Sequence, residues 1–232
     1  MAGPRKRRKS LEAAAPPPHY ETWLTEIFDH PVDVNPNCEY DNQLSFAVDE
    51  AGQAELLAYT LENCARDLAG FSDLQVSAGL RCFFCPGSAD IVCDIASDFV
   101  PIALRLRVIA AIKTLYRDCF EPRCAPVLGS RNEEGNPLNE ICYMLWDITP
   151  VLLWGREPSE QVFQQAVLDV LEEALVSPNP ACVESALHGL GHIQRDCKAD
   201  VARIVSAYLR RNVFAAPGLQ SYARLAAEGR VQ

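Results

Sequence analysis

Residues 160–193 read EQVFQQAVLDVLEEALVSPNPACVESALHGLGHI. From Glu160 to Val176 the apolar residues recur at three and four positions, the period of a helix with one buried face. Ser177-Pro178-Asn179-Pro180 interrupts that run, because two prolines close together end a helix and the Ser and Asn side chains can cap the next. A second run follows, with Ala186, Gly189, Leu190 and Ile193 at positions 0, +3, +4 and +7. Two helices joined by a tight turn form a unit that cannot bury its apolar face alone and must stack on neighbours.

The same spacing holds from Glu50 onward, and period-two runs of β-branched residues are scarce, so the chain reads as all-α. Breakers at Gly70 to Asp73, Pro86 to Ser88, Ser97-Asp98, Gly129 to Pro137, Pro158-Ser159 and Ala216 to Gly218 separate the segments. They predict helices over 20–29, 50–69, 73–84, 89–97, 101–119, 137–149, 159–176, 180–194, 198–212 and 217–228, with Ser72/Asp73 and Ser159 as helix starts. Three further segments repeat the register of Ala186: Val76, Gly79, Leu80, Phe83; Val108, Ala111, Ile112, Leu115; and Ile141, Met144, Leu145, Ile148. Each follows another helical segment, and the starts lie 32, 33 and 45 residues apart.

On these residues, and on Leu104-Arg105-Leu106-Arg107 ahead of Val108, the chain resembles HEAT or armadillo-type α-solenoid repeats. Runs such as Ser72 to Phe84, Asp118 to Pro126 and Glu184 to His192 are similar to bacterial proteins of HEAT-like type, a group with no activity to transfer. The resemblance implies a right-handed stack of about four to five helix pairs, with the second helices side by side. It departs from the family at Val183, which stands where the arginine equivalent to Arg105 belongs, and around Cys119 to Leu128, where the first helix is a stub.

The chain has 232 residues, 49% apolar, enough for one core of ordinary size. Of its 21 basic residues five lie within Arg5 to Lys9, which leaves 16 against 31 acidic groups and a body near −15. Such a body repels polyphosphate, so nucleic acid is expected to bind through the basic tail if at all. The tail continues into Ala13 to Pro18, a linker-like stretch, so residues 1–18 are expected to be a disordered leader and 19–232 one helical repeat domain. No apolar run is long enough for a membrane span, and a cytoplasmic protein is expected.

Ten cysteines in a chain with no export signal are expected to be reduced and mostly buried. Cys82-x-x-Cys85 suits redox chemistry poorly, since Cys85 precedes Pro86-Gly87 at a helix C-terminus, where a thiolate is disfavoured. As half of a zinc site it would need ligands from Cys93, Cys119 or Cys124, which offer no second two-residue spacing.

Glu184, His188 and His192 fall four apart and form one stripe along a helix, opposite apolar Val183, Ala186, Leu187 and Leu190. If second helices are neighbours, position +2 aligns Ala78, Ala110, Tyr143 and His188. Position +6 aligns Cys82, Thr114, Asp147 and His192, and position −1 aligns Gln75, Arg107, Glu140 and Ser185. Glu140, Tyr143, Asp147, Glu184, His188 and His192 then share a patch, either a partner-binding surface or a set of hydrogen bonds holding the stack. A rival reading makes Glu184, His188 and His192, with Asp147, a metal site of an enzyme. Trp146 and Trp154 are read as packing, and Arg117-Asp118 with Glu121-Pro122-Arg123 as an inter-repeat ion-pair network. There is no Gly-x-Ser-x-Gly elbow and no phosphate loop, so the expected role is non-catalytic protein binding without a cofactor, its partner another protein.

Overall fold

Local chemistry sets the helix starts. Ser72 accepts from the Gln75 backbone N–H while Gln75 reaches back to it, a capping box that opens a helix over Asp73–Phe84. Asn136 and Asn139 form another ahead of Pro137–Ile148, and Asn179 caps Pro180–His192 through the Ala181 N–H. Asp49 caps Glu50–Glu62 through Gly52. Each such cap contributes about 1 kcal/mol.

The computed structural model describes residues 15–29, 31, 44–86, 91–154, 161–211 and 216–231, and every regular element among them is helical. In chain order these are α1 (Tyr20–Phe28), α2 (Glu50–Glu62), α3 (Cys64–Asp67), α4 (Asp73–Phe84), α5 (Ile91–Ile95) and α6 (Ile102–Leu115). They are followed by α7 (Glu121–Arg123), α8 (Pro137–Ile148), α9 (Gln161–Ala174), α10 (Pro180–His192), α11 (Lys198–Arg211) and α12 (Pro217–Ala227). Helix α6 does not stop at Leu115; it widens into a π turn over Tyr116–Phe120 that leads into α7. The leader as far as residue 14, the Ser159 cap and the start of the 89–97 helix lie outside the described residues. No helix among the described residues is long and apolar enough to cross a membrane.

The helices pack in two rows. In one, α6 lies between α2 and α9; in the other, α4 packs on α8, α8 on α10 and α10 on α12. The rows meet where α9 covers α10 and α11 covers α12, and α1 closes the second row by packing on α4. This corrects the alignment of α6. Its 0, +3, +4, +7 pattern matches those of α4, α8 and α10, yet α6 packs between α2 and α9 and not in their row. Arg107 accordingly pairs with Glu55 and Glu62 of α2, at 2.7 Å each, and not with an α4 or α8 neighbour. Val108, Ala111, Ile112 and Leu115 are buried as expected, because any helix covered on one side shows that period. Arg105 is buried with its guanidinium 4.8 Å over the Phe163 ring of α9 and donates to the Ala96 carbonyl.

The core runs through both rows, with Trp23, Phe28, Phe83, Phe84, Phe120, Trp146 and Phe163 fully enclosed. The expected ion-pair network takes another form. Arg117 and Asp118 pair locally. Arg123 clamps the turn before α4, donating to Asp73, to the Leu68 carbonyl and to the Phe71 carbonyl. Glu121 accepts from the Ser177 hydroxyl at 2.7 Å, linking the α7 turn to the turn before α10.

Candidate functional site

Helix α10 begins on a firm anchor. The Asn179 side-chain amide donates to the carbonyls of Glu121 and Cys124, while Pro180 occupies the first turn, where its missing N–H costs nothing. Beyond that point every residue from Ala181 to Gly191 is buried, since α8, α9, α11 and α12 surround the helix. Gly189 permits this closeness: a Cβ there would fall 2.7 Å from Leu171 and 2.8 Å from the Trp146 ring.

Glu184 and His188 of the stripe are therefore interior, with His192 at the solvent edge, and the enclosed polar groups must be satisfied within the protein. Glu184 accepts from the Gly129 N–H at 2.6 Å and from the Ser130 hydroxyl; burial nevertheless lifts its carboxyl above the usual range. The Ser185 hydroxyl bonds to the Cys142 carbonyl and to the Tyr116 hydroxyl, which in turn accepts from Trp146 Nε1 at 2.8 Å. The π turn after α6 is the element that brings Tyr116 to this point.

His188 is the centre of a longer chain. Its Nε2 lies 2.6 Å from Asp147 Oδ2, and its Nδ1 contacts the Tyr222 hydroxyl of α12. Tyr222 is 3.1 Å from the Tyr143 hydroxyl, and the Tyr143 ring packs 4.7 Å from the imidazole. Burial holds the His188 pKa below its ordinary value despite the neighbouring carboxylate, which keeps the ring neutral. Burial also raises the Tyr222 hydroxyl, which retains its proton and can donate to Nδ1, leaving the Nε2 proton for Asp147. His192, one turn on, places its Nε2 2.6 Å from Asp147 Oδ1 and 3.0 Å from His188 Nε2.

The structure thus brings together Tyr143, Asp147, His188 and His192, as the +2 and +6 alignments of α8 with α10 require. Two residues of the expected patch stand apart. Glu140 is exposed and pairs with Arg81 of α4 at 2.6 Å. Glu184 turns toward residues 129–130, so Asp147 supplies the carboxylate beside the two imidazoles. Glu184 and His188 are each 1% exposed and cannot touch a partner, which corrects the reading of the six residues as one open surface. Tyr222, Tyr116 and Ser130 were not anticipated. Tyr222 had a signal, since Leu219, Tyr222, Ala223 and Ala226 repeat the 0, +3, +4, +7 register and are all buried.

Among the described residues, Asp147, His188 and His192 form a group of three side chains whose metal-binding atoms lie within reach of a common ion. Cys82 and Cys85 gather no comparable set: Cys82 is buried with its thiol pushed up to about 12, and Cys85 Sγ lies against the Pro86 carbonyl. None of the nine described cysteines is disulfide-bonded. Trp146 and Trp154 are core residues. On the other side of Tyr143 a groove of about 430 Å³ runs along α8, bordered by Val127, Gly129, Glu133, Asn136 and Glu140. No family model, curated protein or solved structure matches the chain.

Proposed function

We propose that the protein is a non-catalytic, cytoplasmic protein-binding scaffold, a short right-handed α-solenoid of HEAT or armadillo type whose partner docks on the outer face of the second helix row. The observation that supports this reading is the serial packing of α4, α8, α10 and α12 beside the series α2, α6 and α9. Stacked helix pairs present long rigid faces, and such faces recognise partners without a catalytic group. With Glu184 and His188 enclosed, the binding face narrows to Glu140, Tyr143, Asp147 and His192 together with the groove along α8. Glu133 and Glu140 border that groove, and the body of the chain is strongly acidic, so the partner fitted to it carries a basic segment.

The test is capture from the native host at low and high salt, with full-length wild type and with Glu133→Lys/Glu140→Lys as bait. A protein with a basic segment should be retained by wild type, released by salt and lost to the double variant, whose helix content stays unchanged although losing the Glu140–Arg81 pair and the Glu133 bond to the Leu128 N–H lowers its Tm. Equal retention by both baits, or no retained protein at low salt, refutes the reading.

A further inference from the structure

We infer that Asp147, His188 and His192 form a binding site for one divalent first-row transition-metal ion, with Tyr222 as the outer group that fixes the His188 ligand. The three ligand atoms come from two packed helices of one row, so the backbone holds them in place before any ion arrives. His188 is enclosed and its Nδ1 is already engaged by the Tyr222 hydroxyl, which leaves Nε2 as the nitrogen that faces the other two ligands. A ligating histidine ordinarily has its second ring nitrogen hydrogen-bonded, because that bond fixes the ring orientation and the tautomer. Here Nδ1 would carry the proton once Nε2 binds an ion, and the Tyr222 oxygen would accept it.

The donor set selects the class of ion. Two imidazole nitrogens and one carboxylate suit zinc, iron(II) and their neighbours, whereas magnesium and calcium prefer shells of oxygen. Around an ion with bonds of about 2.1 Å, adjacent ligands lie about 3.0 Å apart in an octahedron and about 3.4 Å apart in a tetrahedron; the 3.0 Å between the two Nε2 atoms matches the first and falls about 0.4 Å short of the second. The carboxylate oxygens sit closer, at 2.6 Å from each nitrogen, because they accept N–H protons in this structure. Bound metal would take the place of both Nε2 protons and require Asp147 to withdraw by about 0.4 Å for octahedral or about 0.8 Å for tetrahedral coordination, given the same bond lengths. Asp147 lies at the solvent edge of α8, with its side chain 26% exposed, and has room to do so.

A route and free coordination positions are also present. The His192 side chain is 32% exposed and borders a polar pocket of about 970 Å³ together with Gln161, Gln164, Gln194 and Arg195. Three protein ligands on one side and open space on the other leave positions for water or a small ligand, as in zinc sites with three protein donors. Asp147 and His192 belong both to this site and to the edge of the proposed binding face, but the two tests separate: metal binding is read on Asp147 and His192 variants, partner capture on Glu133 and Glu140 variants in the groove beyond Tyr143.

The test uses the full-length chain, reduced and stripped with a chelator, then titrated with Zn²⁺ by calorimetry and with Co²⁺ by absorption. One equivalent should bind, Zn²⁺ should raise the Tm, and the cobalt spectrum should show ligand-field bands without the intense sulfur-to-cobalt band. His192→Ala and Asp147→Asn alter side chains at the solvent edge. Each should weaken Zn²⁺ binding by at least about 100-fold, and Tyr222→Phe by roughly 10–100-fold, the range for outer-shell partners. Cys82→Ser/Cys85→Ser should bind as wild type does. Circular dichroism checks that the variants are folded; if one is not, the wild-type Tm shift and cobalt spectrum still decide. Absence of stoichiometric binding by wild type, sulfur coordination of cobalt, or undiminished affinity in folded His192→Ala would each overturn the inference.

Discussion

Gly189→Ala should destabilise the protein although alanine is the better helix former. In an open helix the change gains about 1 kcal/mol. At position 189 the new methyl would lie 2.7 Å from Leu171 Cδ2 and 2.8 and 2.9 Å from Trp146 Cγ and Cδ1. Neither neighbour can retreat: Leu171 is fully buried, and Trp146 is 1% exposed with its Nε1 donating to Tyr116. Overpacking of this kind costs about 1–3 kcal/mol, and three contacts under 3.0 Å place it at the upper end, for a net loss of about 1–2 kcal/mol. In a chain of this size that lowers Tm by about 2–8 °C. Gly70→Ala is the internal control, because nothing lies within 4 Å of the added methyl and its φ is not in the left-handed region; it should leave Tm unchanged or raise it. Thermal unfolding followed by circular dichroism reads both. A Gly189→Ala variant as stable as Gly70→Ala would refute the close approach of α10 to α8 and α9 on which the buried stripe depends.

Tyr222→Phe should cost about 1–3 kcal/mol in urea unfolding, because it removes the hydroxyl bonded to the enclosed His188 Nδ1; an unchanged midpoint would place Tyr222 outside the chain of hydrogen bonds. Glu184 has its pKa raised by burial, so its contribution to stability is fully present below the ordinary carboxylate pKa and is lost as pH rises through the raised value. Wild type should therefore lose stability relative to Glu184→Gln on going from pH 4 toward neutrality, and parallel pH profiles for the two proteins would contradict it. Among the described cysteines Cys93, which is exposed, should be alkylated first under native conditions, while Cys64, Cys82 and Cys119, buried with thiols pushed up to about 12, should react only on unfolding. Mass mapping of partly alkylated protein checks that order.

The helical segments were legible because a buried face leaves the same three-and-four spacing wherever it occurs, and Ser72 and Asn179 mark helix starts by chemistry that acts locally. That generality also misplaced α6. Its period reports that one side is covered and says nothing of whether the cover is α2 and α9 or α4 and α8, a distinction made by contacts far apart in sequence. The alignment of α8 with α10 was legible, and so were the Tyr143–His188 and Asp147–His192 encounters, since neighbouring helices of one row share a register. The burial of that stripe was not. Glu184, Ser185 and His188 look like the wet side of an amphipathic helix until their partners at Gly129, Tyr116 and Tyr222 are known, and those residues come from separate parts of the chain. The π turn at Tyr116–Phe120 likewise has no signature in spacing, because it depends on where α6 must deliver the Tyr116 hydroxyl.

Hydrogen exchange of the full-length chain, free and saturated with the partner it retains, tests the scaffold reading most directly. Amides of the loop over 125–136 and the first turn of α8 border the acidic groove and should slow on binding, whereas α2, α6 and α9 should be unaffected. Protection centred on those three helices, or none along the groove, would contradict the account.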